Sequence, residues 1–147
     1  GGMEMMRRTV ERCQKVAKKM DRPCPVVLAV TILTSLDEGN LKELGLFGPI
    51  QEHVMRLAEL AQKAGIDGVV ASPREIVPIR QRCGSKFLIV TPGIRPTFGQ
   101  SFKDDQKRFM TAKEAISAGA DYLVIGRPIR MAPNPVVAMD KLLEEIR

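Results

Sequence analysis

Two stretches near the end of the chain hold the residue types best suited to chemistry. In Lys86-Phe-Leu-Ile-Val-Thr-Pro-Gly-Ile-Arg-Pro96 a short apolar run leads into Gly93, Arg95 and Pro96, and in Asp121-Tyr-Leu-Val-Ile-Gly-Arg-Pro128 another leads into Gly126, Arg127 and Pro128. Buried parallel strands read as continuous apolar runs, so each junction sets glycine backbone and a guanidinium at one rim of a sheet. Glycine lets backbone N–H groups approach an anion closely, and a guanidinium grips phosphate oxygens in bidentate fashion. Holding a phosphate group is the chemistry these junctions suit. A surface ion pair is the ordinary alternative for either arginine, but two such junctions on one rim favour the anion.

Other reactive residue types are sparse. Cys13, Cys24 and Cys83 are odd in number and far apart, no Cys-x-x-Cys pair occurs, and His53 is the only histidine. Neither a disulfide framework nor a metal site follows, and this usage fits a reducing cytosol. His53 lies among Val54, Met55 and Leu57, where a helix packs or solvates it, and it receives no role. The net charge of +6 raises the question of nucleic acid. With no Trp, one Tyr and five Phe there is little surface for stacking bases, and Glu4 and Glu11 interrupt the basic residues of the first segment. A small anionic substrate is the better use of the charge. No apolar run approaches the roughly 18 to 20 residues of a membrane span, and residues 1–12 lack a signal-peptide core. A cytoplasmic protein without nucleic-acid or membrane partners is expected.

The elements that must position these residues alternate. The 147 residues, 44% hydrophobic and 27% charged, suit one domain. Met6, Val10, Cys13 and Ala17 mark one face of a helix over 3–20, which the prolines at 23 and 25 end. Strands are expected at 26–33, 66–71, 86–90 and 121–125, and helices at 48–63, 72–82, 111–118 and 134–147. Ser72-Pro-Arg-Glu75 and Thr111-Ala-Lys-Glu114 read as capping boxes. A weak repeat, Ala64-Gly-Ile-Asp-Gly-Val-Val70 against Ala118-Gly-Ala-Asp-Tyr-Leu-Val124, points to one strand-helix step used twice. The reading is α/β: a helix, then four βα units. Four parallel strands leave two bare edges, so a second chain or further strands would close them into an eight-stranded barrel of TIM type.

The segments Leu28-Ala-Val-Thr-Ile-Leu-Thr-Ser35, Gly65-Ile-Asp-Gly-Val-Val70, Thr91-Pro-Gly-Ile-Arg-Pro96, Asp104-Asp-Gln-Lys-Arg108 and Val124-Ile-Gly-Arg-Pro128 together resemble the orotidine 5'-phosphate decarboxylase family. The likeness runs over essentially the whole chain and corresponds to the C-terminal half of that enzyme, barrel strands five to eight. It implies conversion of orotidine monophosphate to uridine monophosphate in pyrimidine biosynthesis, without metal or organic cofactor, by a homodimer with sites near the subunit interface. The family's Asp-x-Lys-x-x-Asp motif lies on earlier strands and does not occur here, so no catalytic residue is carried over. The binding residues that the resemblance implies are Thr34 toward the pyrimidine, Gln106 and Arg127 toward the phosphate, Gly126 beside it, Arg95 toward the substrate, and Pro92 in the pocket wall. The implied partners are the nucleotide and either the missing N-terminal half-barrel or a second copy. Two alternatives stand beside this: a non-catalytic, self-associating half-barrel that binds nucleotide monophosphates, and a sibling barrel lyase acting on a sugar phosphate.

Overall fold

The structure, a computed structural model, describes residues 1–98 and 109–147. Helix α1 (Met3–Lys19) is followed by β1 (Leu28–Val30), α2 (Glu38–Glu43), α3 (Ile50–Lys63) and β2 (Gly68–Val70). A single 3-10 turn, Pro73–Glu75, then leads into α4 (Ile76–Cys83), β3 (Leu88–Thr91), α5 (Ala112–Ala118), β4 (Tyr122–Leu123), α6 (Arg127–Arg130) and α7 (Pro135–Glu145).

The four strands form one parallel sheet in the order β1-β2-β3-β4, with Ala29 opposite Val69, Val69 opposite Ile89, and Val90 opposite Tyr122. Right-handed crossovers that never reverse direction place every connecting helix on the same face of a sheet. The core lies there: Val69, Ala71 and Ile89 from the strands meet Val54, Ala58 and Ala61 of α3, Ile76 and Ile79 of α4, and Ala112 and Ala115 of α5. Side chains alternate across a strand, so the opposite face takes Val26, Leu28, Val30, Tyr122 and Val124. These five are between 36% and 61% exposed. A sheet apolar on both faces, with helices on one, is the wall of an α/β barrel. Gly68 serves close strand pairing, because a Cβ there would meet the Leu88 backbone.

The repeated Asp has a shared task. The Asp67 carboxylate accepts the Val27 N–H at 2.7 Å while its own N–H donates to the Val27 carbonyl. Asp121 makes the same reciprocal clasp with Ile89, again at 2.7 Å to the carboxylate. Each repeat thus locks the start of one strand to its neighbour.

Several local expectations need correction. The strands are shorter than the apolar runs because a ladder lasts only as long as its partner: β1 is limited by the Gly68–Val70 segment, and β4 pairs with β3 alone. Ser72 caps a 3-10 turn through the Arg74 N–H at 3.3 Å, and the α-helix begins only at Ile76. Two helices were not anticipated. α2 opens with a reciprocal Asp37–Asn40 box, in which Asn replaces the usual Glu or Gln, and α6 follows directly from Gly126. Gly65 after α3 and Gly119 after α5 take the positive φ that ends each helix. Among the described residues, no helix is long and apolar enough to cross a membrane.

The box opening α5 gives a pH-dependent prediction. Thr111 Oγ1 accepts the Glu114 N–H, and the Glu114 carboxylate accepts the Thr111 hydroxyl at 2.7 Å and N–H at 2.9 Å. The hydroxyl bond first, then the backbone bond, holds the Glu114 carboxyl below its ordinary value. A depressed folded-state pKa adds stability above the unfolded value, and that gain is lost as pH falls through the folded one. Thr111→Ala should remove about 1 kcal/mol at neutral pH, as expected for an N-cap. The gap between the two proteins should narrow on acidification, read by urea unfolding at several pH values.

Candidate functional site

Because all four strands are parallel, their C-terminal ends share one rim, the side on which barrels of this class build their sites. After β1 the chain leaves the sheet through Thr31, whose hydroxyl donates to the Val70 carbonyl at 2.9 Å, and reaches Thr34, which is buried. After β2 come Ala71 and Ser72, both buried. Thr91, at the end of β3, is fully buried and donates its hydroxyl to the Ala71 carbonyl at 2.7 Å, tying the two strand ends together.

Pro92 is half-buried, and Gly93 turns the chain at φ +79°. The Arg95 N–H donates to the Met110 carbonyl at 2.9 Å, and the Met110 N–H to the Gly93 carbonyl at 3.3 Å. These bonds flank the Ile94–Met110 bridge and close the base of the loop after β3. The Arg95 guanidinium donates to the Ile94 carbonyl at 2.9 Å. After β4, the Val124 N–H donates to the Thr91 carbonyl, and Gly126 opens α6 by accepting the Ile129 and Arg130 N–H groups. A Cβ at Gly126 would have nothing within 4 Å, so internal packing does not demand glycine there. Arg127, the first residue of α6, is half-buried.

The structure therefore gathers Pro92, Arg95, Gly126 and Arg127 on the adjacent loops after β3 and β4. Thr34 stands on the same rim, after β1, with β2 between. Gln106 lies outside the described residues. His53, in α3, bonds the Phe47 carbonyl at 2.9 Å. Cys83 is a core residue whose thiol pKa is raised, mainly by burial and next by Glu59, which suits an inert side chain. A surface cleft between α3 and α4 is lined by Met55, Arg56, Glu59, Pro78 and Arg82, and by none of the rim residues named above. Arg80 and Glu145, described below, were missed in the sequence because the contacts that tie distant segments together, Arg80 to Gly119 and Glu145 to Thr97, span 39 and 48 residues and no local pattern marks them.

Comparison with known proteins bears on the family and the fold. The family described as "Orotidine 5'-phosphate decarboxylase / HUMPS family" matches residues 3–142. The orotidine 5'-phosphate decarboxylases of Geobacter metallireducens and Geobacter sulfurreducens are 60% and 59% identical over 146 residues, 99% of this chain and 59% of each relative. The crystal structure of orotidine 5'-phosphate decarboxylase from Lactobacillus acidophilus superposes with a TM-score of 0.81 at 33% identity, covering 99% of this chain and 59% of that one. The chain thus spans somewhat over half the length of the relatives it matches. Its helix and four strand-helix units have the barrel-type α/β fold, and the chain belongs to the orotidine 5'-phosphate decarboxylase / HUMPS family.

Proposed function

We propose that this chain is the phosphate- and base-binding half of an orotidine 5'-phosphate decarboxylase, its strands being the fifth to eighth of one barrel domain that further strands complete. The observation that carries the reading is the placement of Arg95 and Arg127 on neighbouring loops of one rim. The reaction replaces the C6 carboxylate of the pyrimidine by a proton. Contacts to a phosphate remote from that carbon supply binding energy that orders the site, while charged Lys and Asp groups stabilise the developing carbanion and deliver the proton. Here Arg127, Gly126 and Gln106 would hold the phosphate, Thr34 would read the base edge, and Arg95 and Pro92 would bound the pocket. The Lys and Asp groups belong to the companion strands. No metal or organic cofactor is called for, and the working assembly is a cytoplasmic homodimer.

Calorimetry with uridine monophosphate and uridine tests this. The nucleotide should bind at least about tenfold more tightly than the nucleoside, roughly 1.4 kcal/mol from the phosphate. Equal affinities, or a sugar phosphate competing better than the nucleotide, would overturn it. The exposed apolar sheet face favours a second reading, a non-catalytic half-barrel that pairs with its own copy. A stable dimer that binds uridine monophosphate with no turnover, in a sample whose intact mass shows this chain alone, would select that reading. Turnover in a sample containing companion strands would select the first.

A further inference from the structure

We infer that Glu145 is a positioning residue that fixes the stem of the loop carrying Arg95. The inference deepens the phosphate-binding reading and rests on it for its functional consequence. Glu145 ends α7, and its Oε1 accepts both the Thr97 N–H, at 2.7 Å, and the Thr97 hydroxyl. One turn earlier on the same helix, the Lys141 ammonium lies 5.7 Å from the centroid of the Phe98 ring, within cation–π range. Two consecutive stem residues are thus gripped by side chains four residues apart on one helix face.

Local physics does not explain a glutamate at this position. The C-terminal end of a helix carries partial negative charge, which disfavours an acid there. Glu145 Oε2 is buried and, among the described residues, has no hydrogen-bond partner, a further cost. What offsets both is the pair of donors on Thr97, 48 residues away. The stem has a second anchor two residues earlier, the Arg95 N–H on the Met110 carbonyl. Arg95 therefore lies between two pins, Met110 across the loop and Glu145 from the last helix. Releasing either loosens the backbone that aims its guanidinium and raises the ordering cost of binding.

Two measurements separate the parts of this inference. In the unliganded protein, Glu145→Ala should speed amide exchange at Thr97 and Arg95 by about tenfold and leave the β2 and β3 amides unchanged. Glu145→Gln keeps a carbonyl acceptor and should retain most of the protection. Unchanged exchange at both stem amides, or faster exchange throughout the chain, would overturn the role. In binding, Glu145→Ala should weaken uridine monophosphate by roughly tenfold and uridine by less than about twofold. An equal loss for both ligands, or none for the nucleotide, would also overturn it. If the unaltered protein fails to prefer the nucleotide, the phosphate reading falls, and the exchange result alone decides whether Glu145 holds the stem.

Discussion

Replacing Arg127 with alanine should lower kcat/KM of the complete decarboxylase by roughly 30- to 4,000-fold, about 2 to 5 kcal/mol, the scale for breaking a desolvated charge-assisted pair. The expectation follows from where the residue stands. Arg127 opens α6 immediately after the glycine that ends the β4 run, so the guanidinium is delivered by a short, rigid connection rather than by a long loop. Phosphate binding energy is used to order the reacting end of the substrate, so the loss should appear in the second-order constant and persist when substrate is plentiful. Lysine at 127 keeps the charge but not the planar fork, and its activity should fall between those of the native protein and the alanine variant. A loss below about threefold, under 1 kcal/mol, would remove Arg127 from the phosphate grip.

The parts of the fold that were legible in the sequence are those set by neighbours in the chain. Continuous apolar runs marked the strands, and Thr111 with Glu114 marked a helix start that the hydrogen bonds reproduce. The Gly65 and Gly119 caps follow from a conformation that only glycine adopts cheaply. The Asp67 and Asp121 repeat was visible, but its purpose was not, since each carboxylate meets a residue 40 or 32 positions away. α2 escaped because its box pairs Asp with Asn, outside the usual signature, and α6 because four residues are too few to show a period. At the rim, residue types and strand order were enough to put Arg95, Gly126 and Arg127 on one side of the sheet, whereas Thr34 and Pro92 were singled out by the family resemblance. Sequence could not show that Glu145 reaches the Arg95 stem from the last helix, because that contact depends on how α7 packs after the chain has folded.

A second arginine, at the opposite end of the same strands, should behave in the reverse way. Arg80 lies in α4, and its guanidinium donates to the carbonyls of Gly84, Ser85 and Phe87 at 2.7 to 3.1 Å, to Gly119 at 2.6 Å, and to the Asp121 carboxylate at 2.7 Å. It thereby joins the turn entering β3 to the cap of α5 and to the clasp that starts β4. Arg80 and Asp121 keep only 20% and 31% of their side-chain surface exposed, so deleting the guanidinium strands several poorly solvated acceptors at once. Arg80→Ala should cost about 2 to 4 kcal/mol in urea unfolding, with the slope unchanged, a value below the fully buried case because water still reaches the pair. Lysine should recover less than half of this, since one ammonium cannot span acceptors spread over two turns. A cost under about 0.5 kcal/mol, ordinary for a surface substitution, would show that the five contacts contribute nothing net. Where Arg80→Ala remains folded, its affinity for uridine monophosphate should match that of the native protein, whereas Arg127→Ala should lose the nucleotide. The different outcomes at the two ends of one sheet follow from one physical distinction: at its start the Arg80 guanidinium is taken up by protein carbonyls and the Asp121 carboxylate, and at its C-terminal rim the proposed function has Arg127 grip a phosphate.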